Sequence, residues 1–349
     1  MTMQFDPDIN CPYASGTTAY GDVVLSSRAR LARNLEGFPF VNRASTGDCE
    51  EVEILLNPAC KSEDDLQLEW VDLHKLSPVE KTMCAERHLI STNFASSTHP
   101  RGVMVGPELA RSVMVNEEDH LRIQSIKPGL DLLATHEDVI AMDQRMEDLV
   151  AYAFDDQLGF LTACPTNVGT GARFSVMMHL PALRITKEFR QLYNSCESMS
   201  IAIRGYHGEG SETIADLYQL SNQVTLGYTE EDLRAMLEDQ FLPTVIENER
   251  NARMKIIQQH AAKLDDRVFR AQGILENARL LPLNEAMDCL GRVRLGVSLE
   301  RITDIDINAI NQLFIDIQDA HVQWRYGDNL TSVQLQEKRA ELVKEKLAA

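Results

Sequence analysis

The pattern of the chain changes at Thr229, and this change limits the folds that the chain can adopt. Before Thr229, short apolar runs alternate with helical segments and with Gly, Pro and Asn; after it the pattern is almost wholly helical. Thr229 followed by Asp232 has the form of a helix N-cap, so the helical part begins there. We therefore predict two domains, 1–228 and 229–349, in this chain of 349 residues.

Closely spaced apolar runs in the first part predict β-strands. Ser77-Pro78-Val79-Glu80 forms a capping box that begins a helix ending near His88, and a second helix is signalled after Thr135. This order favours an α+β domain, an antiparallel sheet flanked by helices, followed by an all-helical C-terminal domain. The predicted strands are 23–26, 103–105, 113–116, 120–125, 159–164, 174–179, 200–204 and 217–221.

The net charge of -19 disfavours nucleic-acid binding, which requires a surplus of Lys and Arg, and favours basic protein partners. The sequence has no basic-then-apolar leader and no apolar run near the roughly 18 residues of a membrane span. We therefore expect a cytoplasmic protein without a membrane contact. The 7 cysteines have no CxxC spacing, so we expect neither a zinc site nor a disulfide framework.

A charged segment follows directly on the apolar run 113–115. Glu117, Glu118 and Asp119 come first, and His120 and Arg122 complete the segment. Carboxylates beside an arginine suit a site that binds a cation on one side and an anion on the other. A kinase that acts on a guanidine requires both.

Arginines recur beside small or polar residues at the ends of predicted strands. A guanidinium is permanently charged and presents a planar set of donors that matches phosphate oxygens, so several together would bind a triphosphate and its Mg²⁺. One such arginine alone is more commonly a solvated surface residue, and only their joint position supports the site. The chain has neither a GxxxxGK[ST] motif nor the protein-kinase signatures. The arginines are Arg28, Arg30, Arg122, Arg173 and Arg204.

Glycines at 205, 208 and 210 indicate a mobile loop over 204–210. Such a loop could close over substrates and bring Glu209 into the site. On glycine content alone, a flexible surface turn explains the same residues.

Four motifs, in chain order, resemble those of the ATP:guanido phosphotransferases. They are SSRAR at 26–30, NEEDHLR at 116–122, CPTNVGT at 164–170 and RGYHGE at 204–209. The short N-terminal region and the extra C-terminal helices are similar to the bacterial protein-arginine kinase branch. Segments 220–227 and 295–299 extend the resemblance nearly end to end.

The resemblance implies a role for each motif. Glu118 would be the principal carboxylate on the guanidinium, Glu209 the second, and Cys164 a contact beside the guanidine that is not a nucleophile. The five arginines would hold the nucleotide phosphates, with His88 near the base or ribose. The nucleotide-binding residues implied in this way are Ser26, Ser27, Arg28, Ala29, Arg30, His88, Arg122, Arg173, Phe174, Ser175, Val176, Met177, Arg204, Gly205, Tyr206, His207, Gly208 and Glu209.

The chemistry agrees with these roles. A guanidinium is a poor nucleophile because its pKa exceeds about 12, so a carboxylate must orient it and take its proton. Phosphoryl transfer otherwise requires in-line positioning and cations around the transferred group. We expect ATP with Mg²⁺ carried by the nucleotide, and no metal held by the protein alone.

The leading hypothesis is a kinase that phosphorylates arginine side chains in proteins. The residues before Ser26 are too few to form a domain that closes over a small guanidine. One alternative is a phosphagen-type kinase on a free guanidine such as arginine, and a second is a binding or adaptor protein with a decayed site. The resemblance also implies a homodimer, protein substrates with exposed arginine, an activating adaptor, stress regulators and a Clp protease system.

The chain departs from its relatives near the C-terminus. Related kinases often carry Arg-Asp-x-x-Arg-Ala, which is associated with a second site for phosphoarginine. Residues 335–340 are LQEKRA, so Arg339 and Ala340 remain but the first Arg-Asp pair is missing. We predict a plain helix end here, and regulation by phosphoarginine becomes doubtful.

Overall fold

The computed structural model describes residues 10–61, 66–206, 213–327 and 329–348. Ten strands within these ranges form two sheets, and every pairing between neighbouring strands is antiparallel. The strands are β1 (Val24–Arg33), β2 (Glu69–Asp72), β3 (Gly102–Val105), β4 (Arg111–Val115), β5 (Leu121–Pro128), β6 (Phe154–Asp155), β7 (Gly159–Phe160), β8 (Ala172–His179), β9 (Ile201–Gly205) and β10 (Leu217–Asn222).

Eight strands form the main sheet in the order β2-β3-β4-β5-β1-β8-β10-β9, and β6 and β7 form a separate hairpin. The predicted antiparallel α+β architecture is confirmed. The twelve α-helices of the described ranges are α1 (Thr46–Leu56), α2 (Pro78–Glu86), α3 (Thr92–Ser96), α4 (Leu132–Glu147), α5 (Pro181–Ile185), α6 (Phe189–Ser198), α7 (Glu230–Ala235), α8 (Leu242–Asn277), α9 (Leu283–Ser298), α10 (Ile307–Asp316), α11 (Asp319–Tyr326) and α12 (Ser332–Ala348).

Three strand predictions differ from the structure. β1 continues to Arg33 instead of ending at residue 26, because its arginines occupy alternate positions of a strand and not its end. Only Gly159–Phe160 of the predicted run 159–164 forms a strand. The carbonyl of Leu161 and the amide of Ala163 bind the side chains of Asn34 and Asp119 instead of a neighbouring strand. β2 was not predicted at all.

Alternation along β1 gives the sheet one apolar and one charged face. Ala29 and Leu31 belong to the hydrophobic core, which also contains Val139 and Met142 of α4. Arg28 and Arg30 occupy the intervening positions, and successive side chains of a strand point to opposite faces. The helices therefore cover one face of the sheet and leave the arginines on the other.

The helical C-terminal part packs on the sheet through a buried polar junction. Arg294 of α9 donates hydrogen bonds to the carbonyls of Gly21 (2.6 Å) and Asp22 (3.0 Å) and to Oδ1 of Asn311 (2.9 Å). Burial, together with the neighbouring charge of Arg253, lowers the pKa of Arg294 to about 9. One hydrophobic core runs from β1 through α8 and α9 to α12.

The start of the helical part follows the prediction, whereas its end does not. Thr229 caps α7 in a capping box with Asp232, as predicted. Residues 335–340 lie inside α12, so the predicted helix end there is wrong. Arg339 is buried and donates to the carbonyls of Leu281 and Ile317 and to Asp319, and these contacts continue the helix past it. Within the described ranges, no helix has the length and hydrophobicity needed to cross a bilayer.

Candidate active site

The charged face of the sheet forms the floor of a cavity of about 1080 Å³. Segments that are far apart in sequence meet here, because β5, β1, β8 and β10 are neighbours in the sheet. Twelve of the residues predicted for the site line this cavity: Ser26, Arg28, Arg30, His88, Glu118, Arg122, Cys164, Arg173, Ser175, Met177, Arg204 and Tyr206.

Other predicted residues do not line it. Ala29, Phe174 and Val176 point into the core on the opposite face of the sheet. Ser27 is also buried, where its hydroxyl donates to the carbonyl of Gly129 and accepts from the amide of Asp131. Alternation along a strand separates residues that a linear motif groups together. Gly205 ends β9 and is not among the lining residues, and His207, Gly208 and Glu209 lie outside the described residues.

Strand register brings the arginines together. Arg30 is directly opposite Arg173 on β8, and Ala32 is directly opposite Arg122 on β5. Side chains at directly opposed positions are roughly 5 Å apart at Cβ, and like charges there repel. Arg28 and Arg30 lie in the middle of β1, so the expectation that the arginines lie at strand ends was wrong for these two.

The arginine cluster has the electrostatics of an anion site. Burial, followed by repulsion from Arg122, lowers the pKa of Arg28 to about 10. Burial and the charge of Arg28 lower the pKa of Arg30 well below its ordinary value. Nε and Nη2 of Arg30 are buried and have no hydrogen-bond partner among the described residues. A polyphosphate would satisfy these donors and offset the repulsion, so the residues fit a nucleoside triphosphate.

A tight turn presents the carboxylates at one end of the cavity. Asn116 ends β4 with φ of 63°, the left-handed region that Asn tolerates better than most residues. Its side-chain amide donates to the carbonyls of Cys49 (2.9 Å) and Pro100 (3.2 Å). The amide of Glu117 then bonds to the carbonyl of Asp119 (3.1 Å), which closes the turn.

Glu117 holds Arg122 in place. Its carboxylate accepts hydrogen bonds from Nη1 of Arg122 (2.9 Å), Oγ of Ser91 (2.6 Å) and the amide of Glu118 (2.9 Å). Burial would raise the pKa of Glu117, but the Arg122 guanidinium and these hydrogen bonds outweigh it and leave the pKa lowered. Glu117 is therefore an ionised support of the nucleotide-facing arginine, in keeping with its interpretation from sequence.

Glu118 has the opposite character. Partial burial, followed by the negative charge of Asp119, raises the pKa of the Glu118 carboxyl. A raised pKa makes a carboxylate a stronger base, which suits removal of a guanidinium proton. Asp119 is itself fixed because it accepts from Nδ2 of Asn34 (2.6 Å) and from the amide of Ala163 (2.6 Å).

The bond from Ala163 to Asp119 also places Cys164 at the carboxylate end. Ala163 precedes Cys164, and Asp119 follows Glu118, so the backbone hydrogen bond joins the two segments next to their cavity-lining residues. Sγ of Cys164 lies 3.0 Å from Oγ1 of Thr166. This end of the cavity therefore combines a base with a thiol and no arginine nearer than the nucleotide-facing cluster requires.

The other end of the cavity is aromatic and amide-rich. His88, which has φ of 59°, lies 6.3 Å from the ring of Tyr13 and 5.7 Å from that of Tyr206. Ser26 and Ala32 are six residues apart on β1, about 20 Å along an antiparallel strand. The floor is thus long enough to separate a base-binding end from a guanidine-binding end.

Helix α10 supplies a wall at the aromatic end that sequence reasoning missed. Asn311, Phe314 and Gln318 line the cavity, and Nδ2 of Asn311 is buried without a hydrogen-bond partner among the described residues. The predicted apolar face of this helix was assigned to the core only. Asn311 and Gln318 are polar residues within that face, and this interruption was the available signal.

Among the described residues, no group of three or more His, Cys, Asp or Glu side chains could hold a metal ion. The carboxylates at the turn are engaged separately, Glu117 with Arg122 and Asp119 with backbone and amide donors. The chemistry of the site is therefore that of a cationic floor with a single basic carboxylate at its end.

Two family models match the chain. The one described as "ATP:guanido phosphotransferase, C-terminal catalytic domain" matches residues 51–252. The one described as "Protein-arginine kinase McsB C-terminal domain" matches residues 261–349. Together the two matches include the sheet from β2 onward, the carboxylate turn and α10.

Similar proteins cover nearly the whole chain. A protein-arginine kinase of Syntrophomonas wolfei is 42% identical over 336 residues, 95% of this chain and 93% of that protein. A protein-arginine kinase of Geobacillus stearothermophilus is 39% identical over 329 residues, 93% of this chain and 90% of that protein.

Solved structures share the fold. The duplicated taurocyamine kinase of Schistosoma mansoni aligns with a TM-score of 0.63 and 26% identity, over 67% of this chain and 34% of that one. Lombricine kinase aligns with a TM-score of 0.59 and 24% identity over 71% of this chain and 72% of its own, a likeness of fold alone.

Proposed function

Because the chain belongs to the protein-arginine kinases of the ATP:guanido phosphotransferase family, we propose that it transfers the γ-phosphoryl group of ATP to arginine side chains in proteins. One observation carries the proposal: Glu118 and the arginine cluster line the same cavity. The carboxylate suits a guanidinium, and the cationic floor suits a triphosphate.

The reaction needs few groups. Arg28, Arg30 and Arg122 hold the phosphates in line with the entering guanidine, which replaces a bimolecular encounter by a positioned one. Glu118 accepts a proton from the guanidinium while a nitrogen–phosphorus bond forms and the bond from the γ-phosphorus to the bridging oxygen breaks, leaving ADP. Mg²⁺, when bound with the nucleotide, neutralises charge on the phosphates.

The remaining residues have supporting parts in the proposal. Arg173 and Arg204 complete the phosphate site, with backbone and side-chain contacts from Ser26, Ser175 and Met177. His88 and Tyr206 lie at the base or ribose, and Cys164 contacts the guanidine. Glu209 as a second carboxylate, and the loop that carries it, also belong to the proposal and rest on the resemblance of 204–209 to the family motif.

The wider biology is proposed on the same relatives. We include the division into a catalytic part, 1–228, and a C-terminal part, 229–349, a cytoplasmic homodimer, and a role in stress response. An activating adaptor and a Clp protease system as partners rest on family resemblance alone. The net charge of -19 supports basic proteins as substrates.

The test is incubation of the protein with γ-labelled ATP, Mg²⁺ and a basic protein. The expected product is a phosphoramidate, labile to acid and stable to base, which mass spectrometry locates on arginine. Glu118→Gln should lower turnover by at least about a hundredfold, the usual scale for loss of a general base. Glu51→Gln, an exposed glutamate on α1, is the control and should retain activity. Label on free arginine alone would contradict a protein substrate.

A further inference from the structure

The hairpin of β6 and β7 presents apolar side chains to solvent. Phe154 is 56% and Leu158 is 46% exposed. The Phe154 ring lies 5.2 Å from that of Phe160, and the Arg33 guanidinium stacks behind Phe160 at 3.6 Å from its centroid. A second cavity, of about 720 Å³, adjoins these rings and extends along Glu147–Tyr152. An exposed aromatic ring supported from behind is a typical anchor for a protein partner.

The hairpin is held in one conformation. Oδ1 of Asp155 accepts from the amides of Gln157 (2.8 Å) and Leu158 (2.9 Å). Gly159 has φ of 76°, and a Cβ there would lie 2.5 Å from the carbonyl oxygen of Gly169. The Phe160 amide donates to that same carbonyl at 2.8 Å. A preorganised surface loses little conformational entropy when a partner binds.

The surroundings of these apolar side chains are uniformly acidic. No Lys or Arg occurs between Arg145 and Arg173 in the sequence. Glu36 belongs to the same surface because its amide donates to the carbonyl of Ala151. We call the following set the acidic hairpin surface; its carboxylates are all exposed: Glu36, Glu147, Asp148, Phe154, Asp155, Asp156 and Leu158.

This surface leads directly into the candidate active site. The amide of Leu161 donates to the carbonyl of Ala153 beside the hairpin. Two residues later, Ala163 bonds to Asp119, and Cys164 lines the cavity. A chain that placed an arginine at Glu118 would therefore have its flanking residues within reach of the hairpin.

We propose that the acidic hairpin surface docks the segment of a protein substrate that flanks the target arginine, and selects segments rich in Lys and Arg. This inference rests on the proposed function. The Phe154 ring would contact a cationic or aliphatic side chain, and the carboxylates would attract the basic segment and reject acidic ones. A second copy of the chain is a poorer occupant, since its net charge of -19 is repelled by the same carboxylates.

The test compares two peptides of equal length, each with one central arginine, flanked in one by Ser and Ala and in the other by Lys. Wild type should phosphorylate the Lys-flanked peptide with a kcat/KM about three- to tenfold higher, and added salt should reduce the ratio. Asp155→Asn with Asp156→Asn keeps the turn acceptor but removes two charges. It should lower the ratio toward one without changing kcat/KM for the neutral peptide.

Matched controls are available on α6, which packs on the opposite face of the sheet. Tyr193 is 56% exposed like Phe154, and Glu197 is an exposed carboxylate on the same helix. Phe154→Ala should lower kcat/KM about three- to tenfold on both peptides with unchanged ATP affinity, whereas Tyr193→Ala and Glu197→Gln should change neither value. The ATP-induced shift in melting temperature confirms that each variant is folded.

The outcomes separate the two proposals. If wild type phosphorylates both peptides but the Asp155 and Asp156 double variant keeps the full preference for Lys, the docking surface is wrong and the kinase stands. Concentration-dependent dimerisation that Phe154→Ala abolishes would assign the surface to a second copy instead. If wild type phosphorylates neither peptide nor a basic protein, the proposed function itself fails.

Discussion

Arg30 shows how a residue can favour ligand binding at the expense of the unliganded fold. It faces Arg173 across the strand pair and leaves two buried nitrogens without partners among the described residues. Its lowered pKa, caused by burial and by Arg28, indicates that the cluster is repulsive without an anion. Functional sites commonly break local rules of stability in this way.

Arg30→Met should therefore stabilise the protein in the absence of nucleotide. Replacing a buried unpaired charge by an apolar side chain of similar length should raise the free energy of unfolding by about 1 to 4 kcal/mol. The same change should weaken ATP binding by at least about tenfold. Thermal unfolding with and without ATP measures both effects. Arg190→Met, at an exposed position on α6, should change neither, and a loss of stability in Arg30→Met would contradict the repulsion.

The pH dependence of activity should follow Glu118. The ionised carboxylate is the active form, so activity falls as pH drops through its pKa, which partial burial and Asp119 raise above the ordinary 4.5. Asp119→Asn removes the neighbouring charge and keeps an acceptor for Ala163. The acid limb of the kcat/KM profile should move to lower pH in this variant. A limb that stays in place, with Glu51→Gln as the control, would exclude Glu118 as the titrating group.

At the level of elements, the turn between β4 and β5 positions both carboxylates. Asn116→Gly tolerates the positive φ but loses the bonds to Cys49 and Pro100, which leaves two buried carbonyls unsatisfied and costs about 2 kcal/mol. Asn116→Ala adds the steric cost of the left-handed conformation, on the order of 1 kcal/mol. Denaturant unfolding should rank wild type above Gly and Gly above Ala. Equal stability of all three would show that the turn does not depend on this residue.

Helix α10 provides a test of the aromatic end of the cavity. Asn311→Leu and Gln318→Leu remove amide groups that could bind the base, and each should raise the KM for ATP several-fold, with little effect on kcat, because loss of uniform binding changes KM. Asn308→Ala is the control on the same helix, since Asn308 instead accepts from the amide of Gly16. An unchanged KM for ATP and for GTP in both variants would remove α10 from the nucleotide site.

The sequence predicts elements better than it predicts faces and partners. The capping boxes at Ser77 and Thr229 locate helices because the cap chemistry is local. The motif 26–30 correctly indicates a cluster of arginines, yet only the pleat decides that Ser27 and Ala29 point away from it. Asn311 could not be assigned to the cavity, because its place depends on a contact between residues almost 300 positions apart.

At the level of the whole molecule, the sheet and the C-terminal helices share one core. Val23 and Val343 belong to the same hydrophobic cluster, and Arg294 joins α9 to the loop before β1. The glutamate at the end of α2, Glu86, accepts from the amides of Ala320 and His321 at the start of α11. These contacts predict that the two parts unfold as a single unit.

The 2 tryptophans allow this to be measured. Trp70 packs against the main core and Trp324 against the smaller cluster around α2 and α11. Trp70→Phe and Trp324→Phe each leave one reporter, and their fluorescence transitions should coincide in denaturant. ATP should shift both by the same amount, since ligand binding stabilises the whole cooperative unit. Two separated transitions would show independent domains.

The continuity of α8 has an evolutionary consequence. The helix runs for 36 residues, about 54 Å, and its one non-helical residue, His260, lies between the two family matches. The two conserved modules are therefore joined by a rigid rod and not by a linker. Each inserted or deleted residue in such a rod would rotate everything beyond it by about 100° and swing Asn311 away from the cavity. Loops elsewhere can change length freely, but this helix is free to change its sequence and not its count.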